Sequence, residues 1–158
     1  MVRFPELWVQ ASALSLNRLK MDVIAENIAN ADSTRARFEN GQWQPYRRHM
    51  VVQQAAPLSF KDMLSEIKDK QERPAERSRN TIIGVRANAI KEDEAPLRRV
   101  YDPSHPDADQ DGYVLYPNVD LPREMIDLLS ASRAYEANVT VLSATKAMLQ
   151  KTLEIGRG

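Results

Sequence analysis

The chain is expected to fold as an α+β protein in which long N- and C-terminal helices form a coiled-coil core and carry a small β-rich middle module. Two observations lead there. Apolar residues recur every seven positions at both ends, as Leu7, Leu14, Met21, Ile28 and again as Leu128, Tyr135, Leu142, Leu149. Between them lie short β-branched stretches divided by proline, glycine and aspartate, which is the pattern of brief strands and turns. A seven-residue repeat keeps one seam of a helix turned toward a partner helix, so neither end can bury its stripe alone.

The first helix holds its period from about Glu6 to Asn30 without an internal proline or glycine. Ala11, Ile24 and Ala25 fill out its stripe at three- and four-residue spacing. The run Asn30-Ala31-Asp32-Ser33-Thr34 competes with the backbone for hydrogen bonds and marks the exit. We assign residues 1–34 to this helix, 35–119 to the middle module and 120–158 to the C-terminal helix.

Within the module, Pro45 to Gln53 reads as a strand through Tyr46, Met50, Val51 and Val52. Ser59 can cap a short helix near residues 60–70, where Phe60, Met63, Leu64 and Ile67 share a face. The charged stretch 71–80 has almost nothing to bury and reads as a solvated loop, with no aromatic interleaved to stack on bases. Thr81 to Ile90 is β-branched and broken by Gly84. Leu97–Tyr101 and Gly112–Tyr116 are two further short strands, joined by the proline- and aspartate-rich run 102–111.

Asp120 suits the N-cap of the last helix, with Pro122 tolerated in its first turn, and Gly156 suits its C-terminal cap. Met125, Val139 and Leu153 fill out the second stripe. Read from Asp120 to Ile155, the helix would be roughly 50 Å long, longer than a domain of this size is wide. Part of it should reach another molecule.

Composition removes several functions. The 158 residues hold 22 basic and 22 acidic side chains, and a balanced chain has no overall field to hold nucleic acid or anionic membrane. Without cysteine there are no disulfides, zinc-thiolate sites or thiol catalysis. No stretch approaches the roughly 20 apolar residues of a membrane span, so direct membrane insertion is not expected. The opening residues lack a signal-peptide core. His49 and His105 are the only histidines, with no nucleophile or orienting acid at a characteristic spacing. No glycine-rich phosphate loop occurs among five glycines. Neither an enzyme nor a cofactor site is expected.

One metal-like signal competes. Asp107-Ala108-Asp109-Gln110-Asp111-Gly112 matches the first half of a calcium loop, although Asn118 stands where a bidentate glutamate should close it. The same aspartates can shape a turn through their own backbone. Asn27, Asn30 and Asn138 near the seams either specify register and partner or are simply solvated.

Several stretches together resemble a known family. Ser12–Ala31 is similar to the N-terminal signature of bacterial flagellar rod and hook proteins. Pro45–Arg48, Val100–Asp109, Asp111–Val114, Pro117–Val119, Ser130–Val139 and Lys151–Gly156 resemble its proximal-rod members. The resemblance implies a structural subunit of the proximal rod of the flagellar basal body, the torque-transmitting drive shaft for motility, whose terminal helices self- and hetero-assemble. It implies a place in the rod that crosses the periplasm, reached through the flagellar type III export apparatus without a cleaved leader. Implied partners are other rod proteins, neighbouring basal-body components and copies of the chain in a helical array. The candidate assembly interface is then Leu7, Leu14, Met21, Ile24, Asn27, Ile28 and Asn30 on the first helix. On the second it is Met125, Leu128, Tyr135, Asn138, Val139, Leu142, Leu149 and Leu153. The alternative reading is a calcium-binding interaction module on the Asp107–Gly112 loop.

Overall fold

A computed structural model describes residues 5–39, 41–56 and 84–156, with side chains from residue 7. The short helix expected near 60–70, the charged loop 71–80 and the start of the strand expected from Thr81 lie outside the described residues.

Among the described residues two long helices bracket six strands, an α+β arrangement. Helix α1 runs Pro5–Ala29 and α2 runs Leu121–Ile155. Strands β1 (Arg37–Glu39), β2 (Gln42–Gln44), β3 (His49–Ala56), β4 (Gly84–Glu92), β5 (Arg98–Tyr101) and β6 (Tyr113–Tyr116) pair in chain order as three two-stranded sheets. At 1.5 Å per residue, the 35 residues of α2 span roughly 52 Å. Among the described residues, no helix is long and apolar enough to cross a membrane.

Local chemistry sets the helix ends. Pro5 opens α1, where its missing N–H has no intrahelical role. At the exit, the Asn30 side chain donates to the Glu26 carbonyl at 3.0 Å and accepts from the Ser33 hydroxyl, so polar side chains satisfy the last turn. Asp120 caps α2: its carboxylate accepts the Arg123 N–H and its carbonyl accepts the Glu124 N–H.

One hairpin escaped the sequence reading. Strands β1 and β2 pair antiparallel with Glu39 opposite Gln42, and Gly41 has φ of 80°. Asn-Gly is the strongest local hairpin signal. Its flanks are largely polar, which hid it.

The described residues form two compact units. One draws on residues 5–17, 53–56, 84–88 and 134–156, the other on 18–39, 41–52 and 89–133. Both helices contribute to each. In the first unit Leu16, Ala56 and Thr145 are buried, and Gln10 donates to the Thr145 hydroxyl. In the second, Ala31, Tyr46 and Val119 cluster with Val23, Val114 and Ala131 also buried.

Gly84 brings β4 against α1. A Cβ there would strike the Trp8 ring and lie 2.8 Å from the Ser12 hydroxyl, which also accepts the Val85 N–H. We expect Gly84→Ala to cost about 1–3 kcal/mol, measured by denaturant unfolding. Adding Trp8→Ala should recover part of the loss, because it removes the obstructing ring.

Candidate assembly interface

The interior holds a dense polar cluster where α1 meets the start of α2. Asn27, on the last turns of α1, is 1 % exposed, and Glu124, in the first turn of α2, is fully buried. The Asn27 amide uses all four of its hydrogen-bonding positions. Its Nδ2 donates to the His49 carbonyl at 2.9 Å and to Glu124 Oε2 at 3.0 Å. Its Oδ1 accepts the His49 N–H at 2.8 Å and the Tyr46 hydroxyl at 2.9 Å. The side chain thus meets the start of β3 as a neighbouring strand would, donor to acceptor and acceptor to donor.

The other Glu124 oxygen takes the Arg48 Nε–H at 2.6 Å. Arg48 reaches Asp93 and Asp127 at longer range, and its backbone N–H donates to Asn118 Oδ1. Asn118 in turn donates to the carbonyls of Asp93 and Ala95. A carboxylate this deep is tolerated only when paired and bonded, and Glu124 is both. Since Tyr46 donates to Asn27, its oxygen is left to accept from His49 Nδ1, 3.0 Å away, which fixes His49 with Nδ1 protonated. Burial, then Glu26 and Glu124, push the Tyr46 hydroxyl well above its ordinary pKa and keep it neutral.

Asn27 was expected on a partner-facing seam. The structure places it inside, fully engaged by its own chain. Arg48 and Glu124 were not singled out, and Tyr46, His49 and Asn118 entered only as a strand residue, a lone histidine and the open end of the calcium pattern, although Pro45–Arg48 and Pro117–Val119 lie in the stretches that carry the family resemblance.

The helix faces also differ from the stripes as read. On α2 the least exposed row is Glu124, Leu128, Ala131, Tyr135, Asn138, Leu142, Thr145 and Leu149, an alternation of four- and three-residue steps. Leu128, Tyr135, Asn138, Leu142 and Leu149 therefore lie on the inward row. Met125, Val139 and Leu153 stand outside it and are exposed, Met125 by 59 % and Leu153 by 65 %. On α1 the buried positions are Leu16, Val23 and Asn27. Leu16 and Val23 follow Leu14 and Met21 by two residues, which is roughly 200° around a helix. Leu7, Leu14, Met21, Ile24, Ile28 and Asn30 are half-buried. Both helices thus carry apolar side chains on more than the side their own chain covers.

The aspartate loop is a turn. Asp107 receives hydrogen bonds from the Thr34 hydroxyl and from Arg35. Asp109 Oδ1 accepts the N–H groups of Asp111 and Tyr113, and its other oxygen accepts from Arg99. Gly112 has φ of 78°, the left-handed conformation that favours glycine. The carboxylates of Asp107 and Asp109 are turned to protein donors, and among the described residues no group of three or more His, Cys, Asp or Glu side chains is placed to hold a metal ion. Nothing here supports the calcium reading.

Two family models match this chain. The model described as "Flagella basal body rod protein" covers residues 7–37, and that described as "Flagellar basal body rod FlgEFG protein C-terminal" covers 110–155. The flagellar basal-body rod protein FlgC of Bacillus subtilis is 48 % identical over 157 residues, 99 % of this chain and 100 % of that protein. FlgC of Borreliella burgdorferi is 39 % identical, covering 98 % of each. FlgC of Salmonella typhimurium is 37 % identical, covering 94 % of each.

Two outcomes follow from this geometry. Asn27→Ala strips a partner from Glu124, Tyr46 and both backbone groups of His49, so about 3 kcal/mol or more of stability should be lost in denaturant unfolding. The second concerns pH. The Ser104 hydroxyl holds the Asp102 carboxyl below its usual range, Arg35 does so for Asp107, and the Tyr113 N–H does so for Asp109. Each favours the fold above the unfolded value, near pH 3.9, and its contribution is lost as pH falls through the lowered folded value. Thermal melts at pH 5 and pH 3 should show a larger loss for the wild type than for Asp109→Asn.

Proposed function

The chain belongs to the FlgC family of flagellar basal-body rod proteins, and from that premise we propose that neighbouring subunits are joined through the helix faces its own fold leaves open. It is a structural subunit of the basal-body rod, not an enzyme. The finer reading puts it in the proximal rod, in contact with other rod proteins, neighbouring basal-body components and further copies of itself. It reaches that position through the flagellar type III export apparatus and takes part in the rod's passage across the periplasm.

The observation that carries this reading is the exposure of Met125, Leu129, Val139, Val141, Met148 and Leu153 on α2. A helix whose inward row is already the least exposed has no use within the chain for apolar side chains on its other sides. Large exposed apolar surface marks interaction sites. On α1, the half-buried Leu7, Leu14, Met21, Ile24 and Ile28 offer a further face at helical spacing.

We assign these two sets to contacts between subunits, packed as a coiled-coil core. The inward residues Leu128, Tyr135, Asn138, Leu142 and Leu149 flank that surface and set its shape. Asn30, engaged with its own turn, helps set where α1 stops. Contacts between unlike faces that do not close into a ring propagate as a helical array, which is how a tube arises from one kind of chain. Close-packed side chains deform little, so torque applied at one end of such a tube reaches the other.

This reading is tested by placing charge where the free chain does not need apolarity. Met125→Glu combined with Val139→Glu should change the stability of the free chain by no more than about 0.5 kcal/mol per site. Cells carrying it should lose the chain from purified basal bodies and should not swim. Normal swimming with normal incorporation would remove the basis for the proposed interface. Cells lacking the chain should show, by electron microscopy, basal bodies whose rod is truncated at its base.

A further inference from the structure

We infer that the free chain pairs with a second copy of itself through an outer seam of α2, the two helices running antiparallel. Val141, Met148 and Ile155 recur every seven residues on this helix, with Ala137 and Ala144 set between them at the three- and four-residue steps of a coiled coil. All five are exposed. Val141 precedes Leu142 of the inward row by one residue, about 100° around the helix, so this seam is a different face from the one the chain covers itself.

Matching the seam to itself decides the direction. With the helices antiparallel and Val141 opposite Ala144 of the second copy, the register also sets Met148 opposite Ala137, so each large side chain meets a small one and the layers interdigitate. Beside the seam, the same register brings Arg133 near Glu154 of the second copy, once at each end. Both side chains are exposed, and opposite charges so placed fix partner and register. With the helices parallel, like would meet like: Met148 on Met148, Ala144 on Ala144, and Lys151, the next seam position, on Lys151. Gaps and a like-charge contact would follow. The stripe of α1 competes poorly for the same seam, since Leu7, Leu14 and Met21 are already half-buried.

An antiparallel pair uses one patch twice and closes on itself. A helical array repeats a single displacement and keeps every copy pointing the same way, so the pair must part before the chain joins a shaft. Until then the seam is shielded from other apolar contacts. This later parting rests on the rod reading, whereas the pairing itself is measured on the free chain.

Sedimentation equilibrium of the full chain should give a dimer with a dissociation constant near or below about 100 μM, raised at least about tenfold by Val141→Glu. The chain has no cysteine, so introduced thiols are unique. Ala137→Cys and Met148→Cys chains, mixed, should be joined by a short bis-maleimide. Either variant alone should not, because antiparallel pairing leaves two copies of one position roughly 16 Å apart along the axis. Joining within either variant alone, or a free chain that stays monomeric at about 100 μM, overturns the pairing; if that monomer still enters basal bodies, the rod reading stands. A chain that pairs as described yet is absent from basal bodies overturns the rod reading and leaves the pairing.

Discussion

A single carboxamide holds the second unit together. The Asn27 side chain sits at the point where α1, the start of β3 and the start of α2 converge, and it bonds to each of the other two. Any rearrangement that separates one of these elements from α1 strands a buried donor, a buried acceptor or a buried carboxylate. Such groups cost far more unpaired than they contribute when paired. The arrangement therefore discriminates between packings more strongly than it stabilises the correct one, as a buried polar group in a seam can do. An apolar residue at 27 would pack but would say nothing about where β3 and α2 belong.

Around that fixed point the helices divide their surface. On α2 the inward row alternates apolar and polar or small side chains, with Glu124 answered by Asn27 and Arg48 and Thr145 by Gln10. The exposed sides hold much of the bulky apolar surface. A protein meant to remain alone would have the opposite arrangement. On the proposed reading the inversion has a reason: polar specificity serves the subunit, and apolar area serves the shaft.

The sequence revealed the long helices and their limits because those depend on local features, such as Asp120, Asn30 and a seven-residue period. Strands β5 and β6 were legible from Leu97–Tyr101 and Gly112–Tyr116 for the same reason. The phase of α2 was not. A count of sevens finds the period, yet it cannot tell whether Met125 and Val139 or Glu124, Ala131 and Asn138 complete the inward row. Hydrophobicity pointed to the first pair, and the structure chose the second set, since Glu124 finds its partners 97 and 76 residues away. No local pattern encodes such a meeting. The Asn-Gly pair before β2 was readable in principle as a hairpin signal, but its flanks lack the apolar alternation that would have drawn attention to it.

The last stretch of α2 differs in character from the rest. After Thr145, Leu149 is the one residue up to Gly156 that is not exposed, and Leu153 and Ile155 stand largely in water. Its coil-to-helix balance rests on good helix formers such as Ala147, Met148, Leu149 and Gln150 and on the Lys151–Glu154 pair, with little anchoring from below. That tip can fray and re-form at small cost. On the proposed reading, a subunit packed against Leu153 would hold that tip as helix, so the end of α2 would gain its order from the assembly.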